Sequence, residues 1–185
     1  MDDTTLLLVI AAIVVVAAVL VWMYTRKRRS AALRQRFGPE YDRAVEATGE
    51  PTKAEAMLAD RAKRVDRFDI KPLGPADRDR FADEWKRVQA KFVDEPRQAV
   101  IDGDRLITEV MRARGYPVEH FEQRADDLSV HHPRVVDHYR AGRAVVVRHE
   151  RGQASTEDLR QAMVHFRALF IDLVEEDPER SRRAS

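Results

Sequence analysis

The chain has 185 residues, room for one modest domain besides an anchor, and no cysteine, which excludes disulfides, thiolate metal sites and thiol nucleophiles. Charged residues make up 35% of it and nearly cancel, with 33 Lys and Arg against 32 Asp and Glu. Apart from the cluster Arg26, Lys27, Arg28 and Arg29, the chain beyond residue 25 is balanced, so no nucleic-acid partner is expected.

From Leu6 to Tyr24 the chain reads LLLVIAAIVVVAAVLVWMY, nineteen residues without a charge. At 1.5 Å rise per residue, a helix of that length matches a hydrocarbon core of about 30 Å. The pattern predicts a transmembrane helix from Thr4 to Tyr24, helical despite the β-branched run Ile13 to Val16 because lipid leaves backbone polar groups no other partner. Trp22 and Tyr24 sit where amphipathic rings favour the headgroup layer, and Arg26 to Arg29 follow at once, whereas Asp2 and Asp3 mark the other end. The positive-inside rule then puts the N-terminus outside and residues 30–185 in the cytoplasm, with the basic cluster as topology determinant and lipid contact. A cleaved signal peptide fits less well, since a positive n-region, a shorter apolar core and a small-x-small cleavage site are all missing.

Beyond the anchor, proline and glycine punctuate the chain as helix starts and stops. Phe37-Gly38-Pro39 ends the continuation of the anchor helix, Pro39 opens a short helix closed near Gly49, and another runs from Pro51 to about Phe68 with Leu58, Ala62 and Val65 on one stripe. Asp69–Pro75 reads as a linker. A helix over Pro75–Val93 carries Phe81, Trp85, Val88 and Phe92 on one face. The next, over Pro96–Arg114, buries Val100, Leu106, Ile107, Val110 and Met111 and stops at Gly115, with Gly103 as a weak point inside it. A short helix around Val118–Leu128 follows, then one from Pro133 to Arg151 with Val135, Tyr139 and Val146 inward. The last begins at Ser155, a capping residue followed by Glu157 and Asp158 at the positive end of the helix dipole, and aligns Leu159, Met163, Phe166, Phe170 and Leu173. Ala144–Val147 is an apolar run of ambiguous type, and no sustained alternating strand pattern occurs in residues 30–185.

The expected fold class is therefore all-α, one N-terminal transmembrane helix followed by a small bundle of five to six amphipathic helices. The expected divisions are 1–29 for anchor and basic flank, 30–68 for juxtamembrane helices, 69–174 for the bundle and 175–185 for a disordered tail too polar to bury. The segments LRQRFGPEYDRAV (Leu33–Val45), YPVEHFEQRADDLSVHHPRVVDHYR (Tyr116–Arg140) and STEDLRQAMVHFRALF (Ser155–Phe170) resemble a family of small, functionally uncharacterised bacterial proteins anchored by an N-terminal hydrophobic segment. The resemblance implies a membrane-associated class and carries no activity, cofactor or catalytic residue.

Six histidines, His120, His131, His132, His138, His149 and His165, invite a metal reading, but their spacing opposes it. No H-E-x-x-H pair exists, and Pro133 separates His131 and His132 from the helix holding His138. No G-x-S-x-G, P-loop or G-x-G-x-x-G motif occurs, and Ser155 and Thr156 read as caps rather than nucleophiles. No catalytic, cofactor-binding or metal-ligating residue is therefore assigned. Arg134, Arg140, Arg143, Arg148 and Arg151 make the Pro133–Arg151 helix basic; pairing with Glu157, Asp158, Asp172, Glu175 and Glu176 on the following helix is the expected outcome. The leading expectation is a non-enzymatic, membrane-tethered module that binds a protein partner or self-associates. The alternatives are an enzyme with an unrecognised site in the helical domain, or an envelope structural component with the domain outside the cell.

Overall fold

A computed structural model describes the backbone of residues 3–175 and the side chains of residues 11–175. The described chain is all-helical: α1 (Asp3–Phe37), α2 (Pro39–Thr48), α3 (Pro51–Val65), α4 (Pro75–Lys91), α5 (Pro96–Ala113), α6 (Phe121–His131), α7 (Val136–Glu150) and α8 (Thr156–Glu175), with no strand among the described residues. Ala144–Val147, ambiguous in sequence, is helical within α7. The expected tail, apart from Glu175, lies outside the described residues. Four helices begin directly on a proline, Pro39, Pro51, Pro75 and Pro96, whose fixed φ suits the first turn and whose missing N–H is not needed there.

The chain forms two compact units, Met1–Glu55 and Ala56–Ser185, so the division falls inside α3. In the first unit, Tyr41 and Ala44 of α2 are buried, and the Tyr41 hydroxyl donates to Glu55 Oε1 at 2.8 Å. Arg34 lies over the Tyr41 ring, 4.9 Å from its centroid.

In the second unit α8 is the central element, packed against α4, α5 and α7, with α6 resting on α7. Its expected stripe is buried throughout: Leu159, Met163, Phe166, Phe170 and Leu173, together with Ala162 and Leu169. Phe81, Trp85 and Val88 of α4 and Val100, Leu106, Ile107, Val110 and Met111 of α5 complete the core, Trp85 stacking on Phe170 with ring centroids 4.9 Å apart. The α8 start forms a reciprocal cap: Asp158 N–H donates to Ser155 Oγ at 3.1 Å, and the Ser155 N–H donates to the Asp158 carboxylate at 2.9 Å.

The Phe166 ring lies against both Gly103, which sequence alone presents as a weakness, and Gly142. Gly103 of α5 is buried, and a Cβ there would sit 3.4 Å from the Phe166 ring. Gly142 of α7 is closer still, since a Cβ there would fall 2.5 Å from Phe166 Cε1. Glycine at position 142 lets α7 approach α8 around this large ring, and packing there offsets the helix-propensity cost, whereas at Gly103 a Cβ would meet ordinary van der Waals contact.

The boundaries of α3, α6 and α7 differ most from expectation, α3 ending at Val65 rather than near Phe68. Helix α6 starts at Phe121 rather than Val118 and continues to His131, as far as Pro133 permits, because the residue before a proline is driven from helical geometry; His132 accordingly has φ −121° and ψ 49°. Pro133 does not open α7. Residues 133–135 form a turn, in which the Val136 N–H reaches back to the His132 carbonyl at 3.2 Å, and α7 begins at Val136.

Candidate functional site

Two kinds of feature compete for a functional role: the N-terminal helix and the polar clusters of the second unit. On α1, Ile13, Val14, Val15, Val16, Val19, Leu20, Val21, Trp22, Met23 and Tyr24 are each 49–62% exposed. Ile13 to Val16 and Val19 to Tyr24 are runs of four and six, and successive residues turn by about 100°, so apolar side chains are bare on every side of the helix rather than along one stripe. Thr4 to Ile10 of the expected span lie outside the described side chains. Among the described residues no helix is long and apolar enough to cross a membrane, the charge-free run there extending from Ala11 to Thr25 before Arg26. Immediately beyond, Arg26 lies 5.4 Å from the Trp22 ring centroid and Arg28 4.9 Å from that of Tyr24. Arg26 also donates to Thr52 Oγ1 at 2.8 Å, whereas Lys27 and Arg29 are exposed.

In the second unit, the histidines that sequence considered together go to separate places. The His131 Nδ1 faces the Tyr116 hydroxyl at 3.1 Å. His132 is buried, its Nδ1 in a short contact with the Asp172 carboxylate and its Nε2 3.4 Å from the Arg114 guanidinium. Arginine only donates, so Nε2 accepts and the proton sits on Nδ1, toward Asp172. Both ring nitrogens are thereby engaged within the fold. His138 instead meets His165 across the α7–α8 seam, Nδ1 to Nδ1 at 2.9 Å, and burial with the neighbouring imidazole pushes His165 below the usual histidine range. Among the described residues no group of three or more potential ligands gathers around a point that could hold a metal.

Arg114, which sequence reasoning passed over, ties three segments together. Its Nη1 donates to the Leu173 carbonyl at 3.1 Å, its Nε to the Lys71 carbonyl at 3.3 Å, and its own carbonyl accepts from the Lys71 N–H at 2.9 Å. The next residue, Gly115, has φ 95° and leaves no room for a side chain, since a Cβ would lie 2.4 Å from the Asp69 carbonyl oxygen. The expected linker Asp69–Pro75 is thus held against the end of α5. An arginine before a glycine at a helix end was the only signal in the sequence, and its acceptors lie 43 and 59 residues away.

The basic α7 pairs internally, but mostly not with α8 as expected. Arg148 does reach Asp158 on α8 at 2.8 Å. Arg143 instead pairs with Asp104 of α5 at 2.9 Å, and Arg140 lies within 3.4–3.5 Å of Asp126 of α6 and Asp137 of its own helix. From α3, Arg61 contacts Asp126 at 2.8 Å and Ser129 Oγ at 2.8 Å, while Arg64 donates twice to Asp127 Oδ1. Asp127 is fully buried and Asp104 partly so; in both, burial raises the carboxyl above its usual range against the lowering pull of the arginines. Ser129 Oγ donates to the Asp126 carbonyl at 2.6 Å and stands with these carboxylates and arginines rather than with a histidine. These are ties between helices. Their geometry sets positive against negative charge between the helices of the second unit.

No family model, no curated protein and no solved structure matches this chain.

Proposed function

We infer that this chain is a single-pass membrane protein whose α1 spans the bilayer from Thr4 to Tyr24, with its N-terminus outside and its helical domain in the cytoplasm. There the domain acts as a non-enzymatic interaction module that binds a protein partner or a second copy. The observation that carries the reading is the bare apolar circumference of α1, directly followed by Trp22, Tyr24 and Arg26 to Arg29. An amphipathic helix buries one stripe against its own protein, whereas a helix apolar on all sides calls for an apolar medium on all sides. The interaction role follows from architecture: an anchor concentrates a folded domain at the membrane face, and the buried Arg61, Arg114, Asp127 and His132 are engaged in holding its segments together.

The chain has no cysteine, so replacing Ser185 with cysteine gives a unique label site. A membrane-impermeant thiol reagent should label it only after the inner membrane is permeabilised, and the protein should stay in the membrane fraction under alkaline carbonate extraction. Labelling in cells with an intact inner membrane would place the domain outside and favour the envelope-component alternative. Release by carbonate would remove the anchor itself. For the interaction role, sedimentation of the detergent-solubilised full chain should show a dimer or a complex with a partner. A monomer that retains no partner argues against that role.

A further inference from the structure

The helix does not stop where its apolar part stops. α1 continues unbroken from the apolar run to Phe37, and between Asp3 and Glu40 the sequence holds no acidic residue, while residues 26–36 hold six basic ones: Arg26, Lys27, Arg28, Arg29, Arg34 and Arg36. Four consecutive residues stand at about 100° intervals and so cover about 300° of the circumference, leaving no wide gap. Arg26 to Arg29 therefore form a collar around the helix, basic at every azimuth, rather than a one-sided face of the sort that reads a protein surface. All four are exposed, and among the described residues neither Lys27 nor Arg29 has a carboxylate within ion-pair distance. Arg26 and Arg28 lie over the rings of Trp22 and Tyr24, which holds their guanidinium groups at the depth of the last aromatic side chains. Arg34 and Arg36 follow about 8 and 10 Å beyond Arg29 along the axis, near one Debye length, and add to the same field.

Resting on the membrane reading above, we propose that this collar is a binding surface for anionic phospholipids, which it gathers around α1 in preference to zwitterionic ones. Phosphate-bearing headgroups surround a spanning helix on all sides at one depth, and a ring of side chains at one depth matches that arrangement. Guanidinium groups add bidentate contact to phosphate oxygens. Arg61, Arg64, Arg143 and Arg148 of the second unit are unlike these, because they already face carboxylates.

The test is quenching of tryptophan fluorescence in the full chain reconstituted into mixed bilayers containing either brominated phosphatidylglycerol or brominated phosphatidylcholine. Trp22 reports the collar, and Trp85, buried and stacked on Phe170, supplies an unquenched baseline. The expected result is stronger quenching by the brominated anionic lipid, corresponding to a relative affinity of about fivefold for each charge engaged. The preference should shrink as salt is raised and disappear in the R26Q/K27Q/R28Q/R29Q variant. Equal quenching of Trp22 by both lipids in the unaltered protein overturns the lipid preference while leaving the membrane span intact. So does a preference that survives the fourfold substitution. Absence of quenching by either lipid overturns the membrane reading, and the lipid proposal with it.

Discussion

Helices α1 and α8 are both rich in apolar residues, yet they meet opposite fates. On α8 most apolar residues fall on one stripe, and that stripe forms the centre of the bundle, with Phe166 and Leu169 fully buried; the outer face carries Glu157, Arg160, Gln161 and Arg167, with Val164 and Ile171 the exposed apolar exceptions. On α1 the residues from Ala11 to Tyr24 are apolar at every position, and all of them are exposed. Hydrophobic content alone does not separate the two; the angular distribution does. A stripe specifies a partner helix, whereas a full circumference specifies a medium.

Substitutions can drive that contrast to breaking point. The largest effect is expected at Phe166, where truncation to alanine leaves a cavity bordered by the two glycine positions Gly103 and Gly142, whose helices have no side chain to fill it. Phe166→Ala should cost about 3–5 kcal/mol, read as a lowered denaturation midpoint of the second unit by circular dichroism. Next comes Val15, in the middle of the exposed run. Val15→Arg should leave the unfolding midpoint of the bundle unchanged, yet cost membrane insertion about 2.5–3.5 kcal/mol, visible as a larger carbonate-extractable fraction. If Val15→Arg destabilised the bundle as much as Phe166→Ala, the distinction between a stripe and a circumference would fail.

A finer test uses the two glycines, because one residue type should answer with two signs. Gly142→Ala would put a methyl 2.5 Å from the Phe166 ring edge, and it should destabilise by about 1–3 kcal/mol despite alanine's better helix propensity. At Gly103 the nearest contact is an ordinary 3.4 Å, so Gly103→Ala should be neutral or stabilising by up to about 1 kcal/mol. Equal losses at both would show that backbone freedom, not ring clearance, is what the glycines supply.

These glycines also mark where the sequence stops being legible. Helix positions were readable because proline, glycine and the 3.6-residue period are local signals, and the stripes of α4, α5 and α8 are buried as their spacing predicts, apart from Phe92, which is partly exposed just past the end of α4. The helix-propensity cost of a glycine is equally local, but what Gly142 accommodates, the Phe166 ring, lies 24 residues downstream and on another helix. The same limit applies to charge. Expecting α7 to pair with its neighbour in sequence was right for Arg148, yet Arg143 found Asp104, 39 residues earlier, because helix azimuth rather than chain adjacency selects the mate. Among the histidines, the pairing that matters joins His138 to His165, two residues with no motif between them.

That pair yields the smallest effect, and its sign can be worked out. Burial, and then the charge of His138, hold His165 below the ordinary imidazole value of about 6.5. The unfolded chain therefore takes up the proton first as pH falls, and the stability present above that value is lost as pH drops through the depressed folded one. Two carboxyls, Asp104 and Asp127, act in the opposite direction, because burial raises them and their protonation favours the folded state. Absolute stability against pH thus mixes both. The difference between the protein and its His165→Gln variant removes the carboxyl contribution, since Asp104 and Asp127 are common to the two. Between pH 7 and pH 5 the unaltered protein should lose more in melting temperature than the variant, and His138→Gln, which removes the imidazole that depresses His165, should reduce the loss in the same direction. Parallel melting curves against pH for all three would mean that the 2.9 Å contact across α7 and α8 carries no linked proton.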